Sequence, residues 1–105
     1  MKITDPSIYL GEVPQRHEHV YFQDQSGQMT VGVWTSTSFE TAPNQSPRSE
    51  FMHLVEGSVT LTDSEGAEHE FRAGDSAYVP MGAVCGWKST GPVRKIYTTF
   101  EPSVA

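Results

Sequence analysis

Residues 50–87 read EFMHLVEGSVTLTDSEGAEHEFRAGDSAYVPMGAVCGW, and this stretch decides the fold. Four glycines divide it at short intervals: Gly57, Gly66, Gly74 and Gly82. Glycine adopts the positive φ of a tight turn without steric strain, and Asp75 can close its own turn through its carboxylate. Pro80 has no backbone N–H and ends a strand. The stretch therefore predicts short strands joined by tight turns.

The same pattern extends over the rest of the chain. Runs rich in β-branched and aromatic residues, such as MTVGVWT (29–35) and VRKIYTTF (93–100), alternate with turn-forming residues. Strands at intervals of about 8–12 residues are typical of an all-β sandwich or barrel. No window shows the apolar stripe of an amphipathic helix. Residues 40–49, ETAPNQSPRS, contain two prolines and predict a mobile, irregular rim.

Length and charge exclude several classes of protein. A chain of 105 residues predicts one domain. Its 7 basic and 13 acidic residues give a net charge of −6, and no basic cluster is present, so we expect neither a nucleic-acid nor an anionic-membrane partner. No apolar run reaches the roughly 20 residues of a spanning helix. The absence of a signal-peptide pattern and the single cysteine favour a cytoplasmic location.

Strand periodicity separates residues 50–55 into two faces, because successive side chains point in opposite directions. One face holds Glu50, Met52 and Leu54, and the other holds Phe51, His53 and Val55. Both faces are largely apolar, whereas a small barrel covers only its inner face. The outer face therefore predicts a homodimer.

Several ordered motifs carry a family resemblance: GVW (32–34), EFMHLVEGSVTLTD (50–63), FRAGD (71–75), VPMG (79–82), Trp87 and VRKIY (93–97). In this order they resemble the small single-domain cupins of the (S)-ureidoglycine aminohydrolase type, which are also similar to the ethanolamine-utilisation cupin. The resemblance covers roughly residues 30–100. It implies a single antiparallel β-barrel, a jelly-roll-like double-stranded β-helix with a cavity between its sheets, in one cupin domain over residues 1–105. Residues 1–28 then form an N-terminal strand segment, and residues 29–100 form the barrel core.

The resemblance also shows which metal ligands are missing. A metal-binding cupin usually offers H-x-H, then Glu, then a third His. Glu50 stands at the Glu position, and Cys85 stands at the third His position. The H-x-H positions fall on Pro43 and Gln45, or on Asn44 and Ser46. Since a catalytic zinc site normally needs three protein ligands, we expect no metal or other cofactor in the standard site.

His17 and His19 offer an alternative pair of ligands. On a strand both imidazoles would project from one face about 6–7 Å apart, a spacing that can chelate a metal. No Glu follows at the required distance, so a solvated N-terminal strand is the favoured interpretation. If a divalent transition metal is bound, we expect Glu50 and Cys85 to hold it, with His17 or His19 completing the site.

Glu50 and Cys85 are also the candidate catalytic residues. Cys85 follows the Pro-x-Gly turn where cupins direct a side chain into the cavity, and Trp87 shares its face. A partly desolvated Glu50 beside it would act as a proton carrier. The alternatives are that Cys85 is a small buried hydrophobic residue and that Glu50 bonds to backbone at the strand start.

The expected cavity lining extends beyond this pair. It comprises Trp34, Met52, Leu54, Tyr78, Trp87, Lys95 and Tyr97. Lys95 and Tyr97 share a strand face and either contact an anion or point to solvent. The favoured interpretation is a cupin that binds a small polar metabolite, with catalysis left open. The alternatives are a metal-dependent enzyme acting on a small nitrogenous or carbonyl substrate, and a non-catalytic dimeric accessory protein.

Overall fold

The computed structural model describes residues 6–102, and this part of the chain is built almost entirely from strands. A short 3-10 helix, η1, covers Pro6–Ile8. The strands are β1 Arg16–Gln23, β2 Met29–Ser36, β3 Phe39–Glu40, β4 Asn44–Gln45, β5 Ser49–Glu56, β6 Ser58–Thr62, β7 Glu68–Arg72, β8 Ser76–Val79, β9 Val84–Ser89 and β10 Val93–Phe100. The all-β prediction is confirmed. Within residues 6–102, no helix has the length and apolar character needed to cross a bilayer.

Two antiparallel sheets enclose the core. The first has the order β1-β2-β10-β5-β8, and the second has the order β3-β9-β6-β7, with β4 pairing to β9. The central strand β10 lies between β2 and β5, so residues distant in sequence meet there. The predicted jelly-roll-like barrel is confirmed.

The four glycine turns have the predicted backbone conformation. Their φ angles are 80° at Gly57, 84° at Gly66, 95° at Gly74 and 90° at Gly82. These angles lie where a side chain would introduce strain. The Asp75 carboxylate accepts a hydrogen bond from the Arg72 backbone N–H at 2.8 Å, so it closes its turn as expected.

Gly32, in the GVW motif, is required by a close approach rather than by a turn. A Cβ atom there would lie 2.5 Å from the His19 carbonyl oxygen and 2.7 Å from the Tyr97 hydroxyl. Gly32 is the registered neighbour of Tyr97 on β10. The missing side chain therefore makes room for the tyrosine ring inside the barrel.

Two local features differ from a regular sheet. Residues 40–49, expected as an irregular rim, are partly paired with the rest of the barrel, because Thr41 bridges to Tyr9 and β4 pairs with β9, while residues 42–43 and 46–48 lie outside strands. In β1, the register with β2 shifts between Val20 and Phe22, which marks a β-bulge in a strand that pairs with β2 on one side.

The outer surface of the first sheet is apolar. Strand register places seven large exposed residues on it: Phe22, Met29, Phe51, Val55, Tyr78, Ile96 and Phe100. We call this set the outer apolar face. Phe51 and Val55 lie there as predicted, beside His53, whose Nδ1 lies 2.9 Å from the Ser76 hydroxyl. A homodimer through this face stays a prediction.

Candidate functional site

A buried ion pair lies at the centre of the barrel. Lys95 Nζ is 2.7 Å from Glu50 Oε2, and the two side chains are 0% and 5% exposed. The residues sit on neighbouring strands but not opposite each other, since Lys95 pairs with Leu54 and Glu50 pairs with Thr99. The lysine side chain therefore runs along the interior, and its Nζ passes 3.6 Å from Met52 Sδ.

Two tryptophans from opposite sheets enclose the ammonium group. Trp34 comes from β2, directly beside Lys95 in register, and Trp87 comes from β9 of the second sheet. The ring centroids lie 4.9 Å and 4.5 Å from Nζ. Both distances fall within the range of a cation–π contact. Glu50, Met52, Trp34 and Trp87 thus surround Lys95, and we call this group the ammonium cage.

The ammonium cage is hard to explain as a device for stability. Moving two charges out of water costs several kcal/mol per ion, and their attraction offsets this only with good geometry. Apolar residues of similar volume often stabilise a protein as well as a buried ion pair does. A charged pair in the core of a small barrel is therefore a candidate functional site.

A second polar contact lies beside the cage. The Tyr97 hydroxyl donates a hydrogen bond to Glu18 Oε2, which faces inward from β1. Burial raises the pKa of the Tyr97 phenol, and the nearby Glu50 carboxylate raises it further, while Arg48 lowers it. At neutral pH the phenol therefore keeps its proton and acts as a donor.

Cys85 lies at the edge of the interior, on the strand face that Trp87 also occupies. Burial raises the pKa of its thiol, and the charge of Asp63 adds a smaller contribution. The neutral thiol is a weak nucleophile and a poor metal ligand. The Glu50 carboxylate forms its ion pair with Lys95. The carboxylate whose charge raises the pKa of Cys85 belongs to Asp63.

The two N-terminal histidines lie outside the interior. His17 and His19 are exposed on the outer side of the first sheet, in register with Thr35 and Val33. Glu18, between them, takes the inward position. The structure therefore does not bring these histidines to Glu50, and their role as metal ligands stays a prediction. Within the described residues 6–102, no group of three or more His, Cys, Asp or Glu side chains is placed to hold a metal ion.

Most of the expected cavity lining does face inward. Met52 is 0% exposed and Leu54 is 1% exposed, and Trp34, Trp87, Lys95 and Tyr97 also point into the barrel. Tyr78 is the exception, because it is 61% exposed on the outer face. Ala77 and Val79 take the inner positions of β8.

A groove that the sequence did not reveal opens at another place on the surface. Its volume is about 690 Å³, and its lining comes from three segments: residues 10 and 12–15, residues 37–40, and residues 88–90. Phe39 lines this groove and packs edge-to-face on Trp34 at 5.7 Å between ring centroids. The groove therefore touches the ammonium cage through one aromatic contact.

The barrel, its glycine turns and its inward-facing Glu50 agree with one family. A family model of the EutQ-like cupin domain matches residues 23–97. The chain belongs to this cupin family. Among proteins of curated function, none matches the chain significantly.

Solved structures agree with the family match. A DUF861-family protein of unknown function from Pseudomonas syringae pv. tomato is 38% identical, with a TM-score of 0.87. The match covers 90% of this cupin but only 40% of the Pseudomonas chain. A DUF861-family protein from Thermotoga maritima is 31% identical over 62% of this chain and 73% of that chain, with a TM-score of 0.57.

A third structure supports the fold alone. It is a putative ethanolamine utilization protein Q from Salmonella typhimurium, which is 19% identical. The match covers 84% of this cupin and 71% of that chain, with a TM-score of 0.70.

Proposed function

We propose that this cupin binds a small polar metabolite at the ammonium cage. The observation that supports the proposal best is the Lys95–Glu50 pair, whose charged atoms lie 2.7 Å apart in a fully buried position. A buried charge pair provides directional recognition that an apolar core does not. Trp87 is only half-buried, so the cage has one wall that a ligand can reach from the rim.

The chemistry of the cage suggests the class of ligand. The Lys95 ammonium donates hydrogen bonds and the Glu50 carboxylate accepts them. The two tryptophan rings favour a flat or cationic group. A small compound with a carbonyl or carboxylate oxygen and an N–H group satisfies these requirements. The resemblance to ureidoglycine aminohydrolase cupins supports the same class, a small nitrogenous or carbonyl compound.

The same side chains are suited to proton transfer if the ligand also reacts. Glu50 can take a proton from a bound compound, and Lys95 can stabilise negative charge developing on an oxygen. Tyr97 donates a hydrogen bond to Glu18 next to them. Catalysis would therefore require Glu50 and Lys95, with Tyr97 as an additional donor.

The proposal also includes an oligomeric state and a cellular location. We propose that the protein works as a homodimer, because the outer apolar face exposes 51% of Phe51 and 44% of Ile96. The single free cysteine favours a reducing compartment, the cytoplasm, as its location.

Intrinsic fluorescence tests the proposal directly, since the chain has two tryptophans and both belong to the cage. We expect a panel of small ureido, amide and carboxylate compounds to contain at least one that changes the emission saturably. Glu50→Gln should weaken that binding by about 10-fold or more, because a hydrogen bond to a charged group contributes about 1.5–3 kcal/mol.

The matched control is Glu68→Gln on the exposed strand β7, which should bind like the wild type. Circular dichroism would verify that both variants are folded. Equal affinity in Glu50→Gln and wild type, or no saturable change with any compound, would contradict the proposal.

A further inference from the structure

Membership of the cupin family raises the question of a metal ion in the barrel. Such an ion needs about three protein donors fixed within roughly 2.0–2.3 Å. In this chain Glu50, which stands at the usual Glu ligand position, has a lysine ammonium 2.7 Å from its carboxylate. A dication placed against the same carboxylate would face the positive charge of Lys95 at close range. The first donor is therefore already occupied by a cation.

The other residues at metal-ligand positions do not supply the missing donors. Cys85 is the other residue at a ligand position, and within residues 6–102 no group of three or more His, Cys, Asp or Glu side chains is placed to hold a metal ion there. Asn44, at one of the H-x-H positions, donates its amide to the Ala42 carbonyl at 2.9 Å. Gln45, at another, donates to the Gly82 carbonyl at 3.5 Å. The donor set of this chain does not fit a transition metal.

The surroundings of Lys95 Nζ are instead those of a cation-binding site. One carboxylate lies 2.7 Å from the ammonium, two indole rings lie within cation–π distance, and a thioether sulfur lies at 3.6 Å. Aromatic cages of this type recognise ammonium groups in other contexts. Here the ammonium group is covalently part of the chain, which makes its local concentration independent of any ion in solution.

We infer that Lys95 Nζ is the resident cation of this barrel and balances the carboxylate that stands at the Glu ligand position of metal-binding cupins. The inference concerns which cation balances the negative charge of Glu50, so it stands whether or not the proposed metabolite binds. It follows that the protein keeps its fold and charge balance in the presence of chelators. It also follows that the cage without the lysine side chain selects a small organic ammonium ion.

Wild-type protein provides the first test. After dialysis against Mn²⁺ or Zn²⁺ and removal of loose ions, we expect elemental analysis to find far less than one metal per chain. We expect EDTA to leave the melting curve unchanged. About one metal per chain, lost in Glu50→Gln but retained in the matched variant Glu68→Gln, would overturn the inference.

Chemical rescue of Lys95→Ala provides the second test. The probe is n-propylammonium chloride, compared with equal concentrations of n-propanol plus sodium chloride. We expect n-propylammonium to raise the Tm of Lys95→Ala by about 4–8 °C once it is several-fold above its dissociation constant. The difference between the two probes should vanish in wild type and in Glu50→Gln/Lys95→Ala.

Equal stabilisation of Lys95→Ala by n-propylammonium and n-propanol would overturn the inference, because the cage would then select volume and not charge. If Lys95→Ala does not fold alone, refolding with each probe replaces the melting curve as the measurement. Recovery with n-propylammonium only supports the inference, and equal recovery with both probes contradicts it. If neither probe recovers the fold, the metal analysis of wild-type protein decides.

Discussion

The first sheet buries charged side chains on its inner face and exposes large apolar side chains on its outer face, which is the opposite of the usual distribution. On β10, Lys95 points inward and is 0% exposed, while its neighbour Ile96 points outward and is 44% exposed. On β5, Glu50 is 4% exposed inside and Phe51 is 51% exposed outside. Charged residues are rarely fully buried unless paired, and large apolar patches are rarely left uncovered.

This inversion separates two roles along the same strands. The inner face holds a polar group that must be fixed in position, and the strands supply that precision through their register. The outer face holds an apolar surface that is suited to a second molecule. Since consecutive residues of one strand alternate between the two faces, each strand contributes to both roles.

The largest expected effect comes from breaking the ion pair on one side. Lys95→Met leaves the buried Glu50 carboxylate without its cation, and Glu50→Leu leaves the ammonium without its anion. We expect each single variant to lose about 3–5 kcal/mol of unfolding free energy in urea. The double variant Glu50→Leu/Lys95→Met should recover most of that loss, because apolar residues of similar volume replace both charges.

The outer side of the molecule provides a matched control for this experiment. Arg72 Nε also lies 2.7 Å from a carboxylate, that of Glu70, but the two side chains are 76% and 50% exposed. Glu70→Gln should change the unfolding free energy by about 0–1 kcal/mol. Equal losses at Glu50 and Glu70 would mean that burial does not distinguish the two pairs.

An intermediate effect is expected from the outer apolar face. Phe51→Lys places a charge at its centre and should convert a homodimer into a monomer in light scattering at micromolar concentration. Glu68→Lys adds the same residue to the exposed strand β7 and should leave the dimer intact. A wild-type protein that is already monomeric at that concentration would contradict the proposed homodimer through this face.

The smallest effect concerns Cys85, at the rim of the inner face. Burial raises the pKa of its thiol, and the thiolate is the form that iodoacetamide attacks. Between about pH 7 and pH 10 the folded protein should therefore react more slowly than the urea-unfolded chain, with its rate midpoint at higher pH. Mass spectrometry measures both rates at the single cysteine. Faster reaction in the folded state would instead indicate an activated thiol.

Much of the fold could be predicted from local sequence. Gly57, Gly66, Gly74 and Gly82 all have positive φ, and this requirement depends on the turn alone. The inward positions of Met52 and Leu54 follow from strand alternation once one residue of β5 is assigned. Glu50 and both tryptophans could be named as interior residues for the same reason, whereas alternation left open whether Lys95 and Tyr97 face the cavity or solvent.

The partners of these residues could not be predicted. Lys95 and Glu50 are 45 positions apart, and their contact depends on the register between β10 and β5. Tyr78 illustrates the other difficulty, because alternation in β8 leaves open which phase faces inward, and Ala77 and Val79 take that side. Strand alternation also left open whether His17 and His19, or Glu18 between them, face inward from β1. This question is resolved by Glu18, which points inward to Tyr97.

The β-bulge of β1 has a consequence for how copies of this protein can associate. An eight-residue edge strand with free backbone groups would otherwise accept another strand and seed edge-to-edge aggregation. The register shift between Val20 and Phe22 disrupts the regular spacing of N–H and C=O groups along that edge. Strand addition at this edge is therefore disfavoured, which agrees with the proposed association of two copies through the outer apolar face.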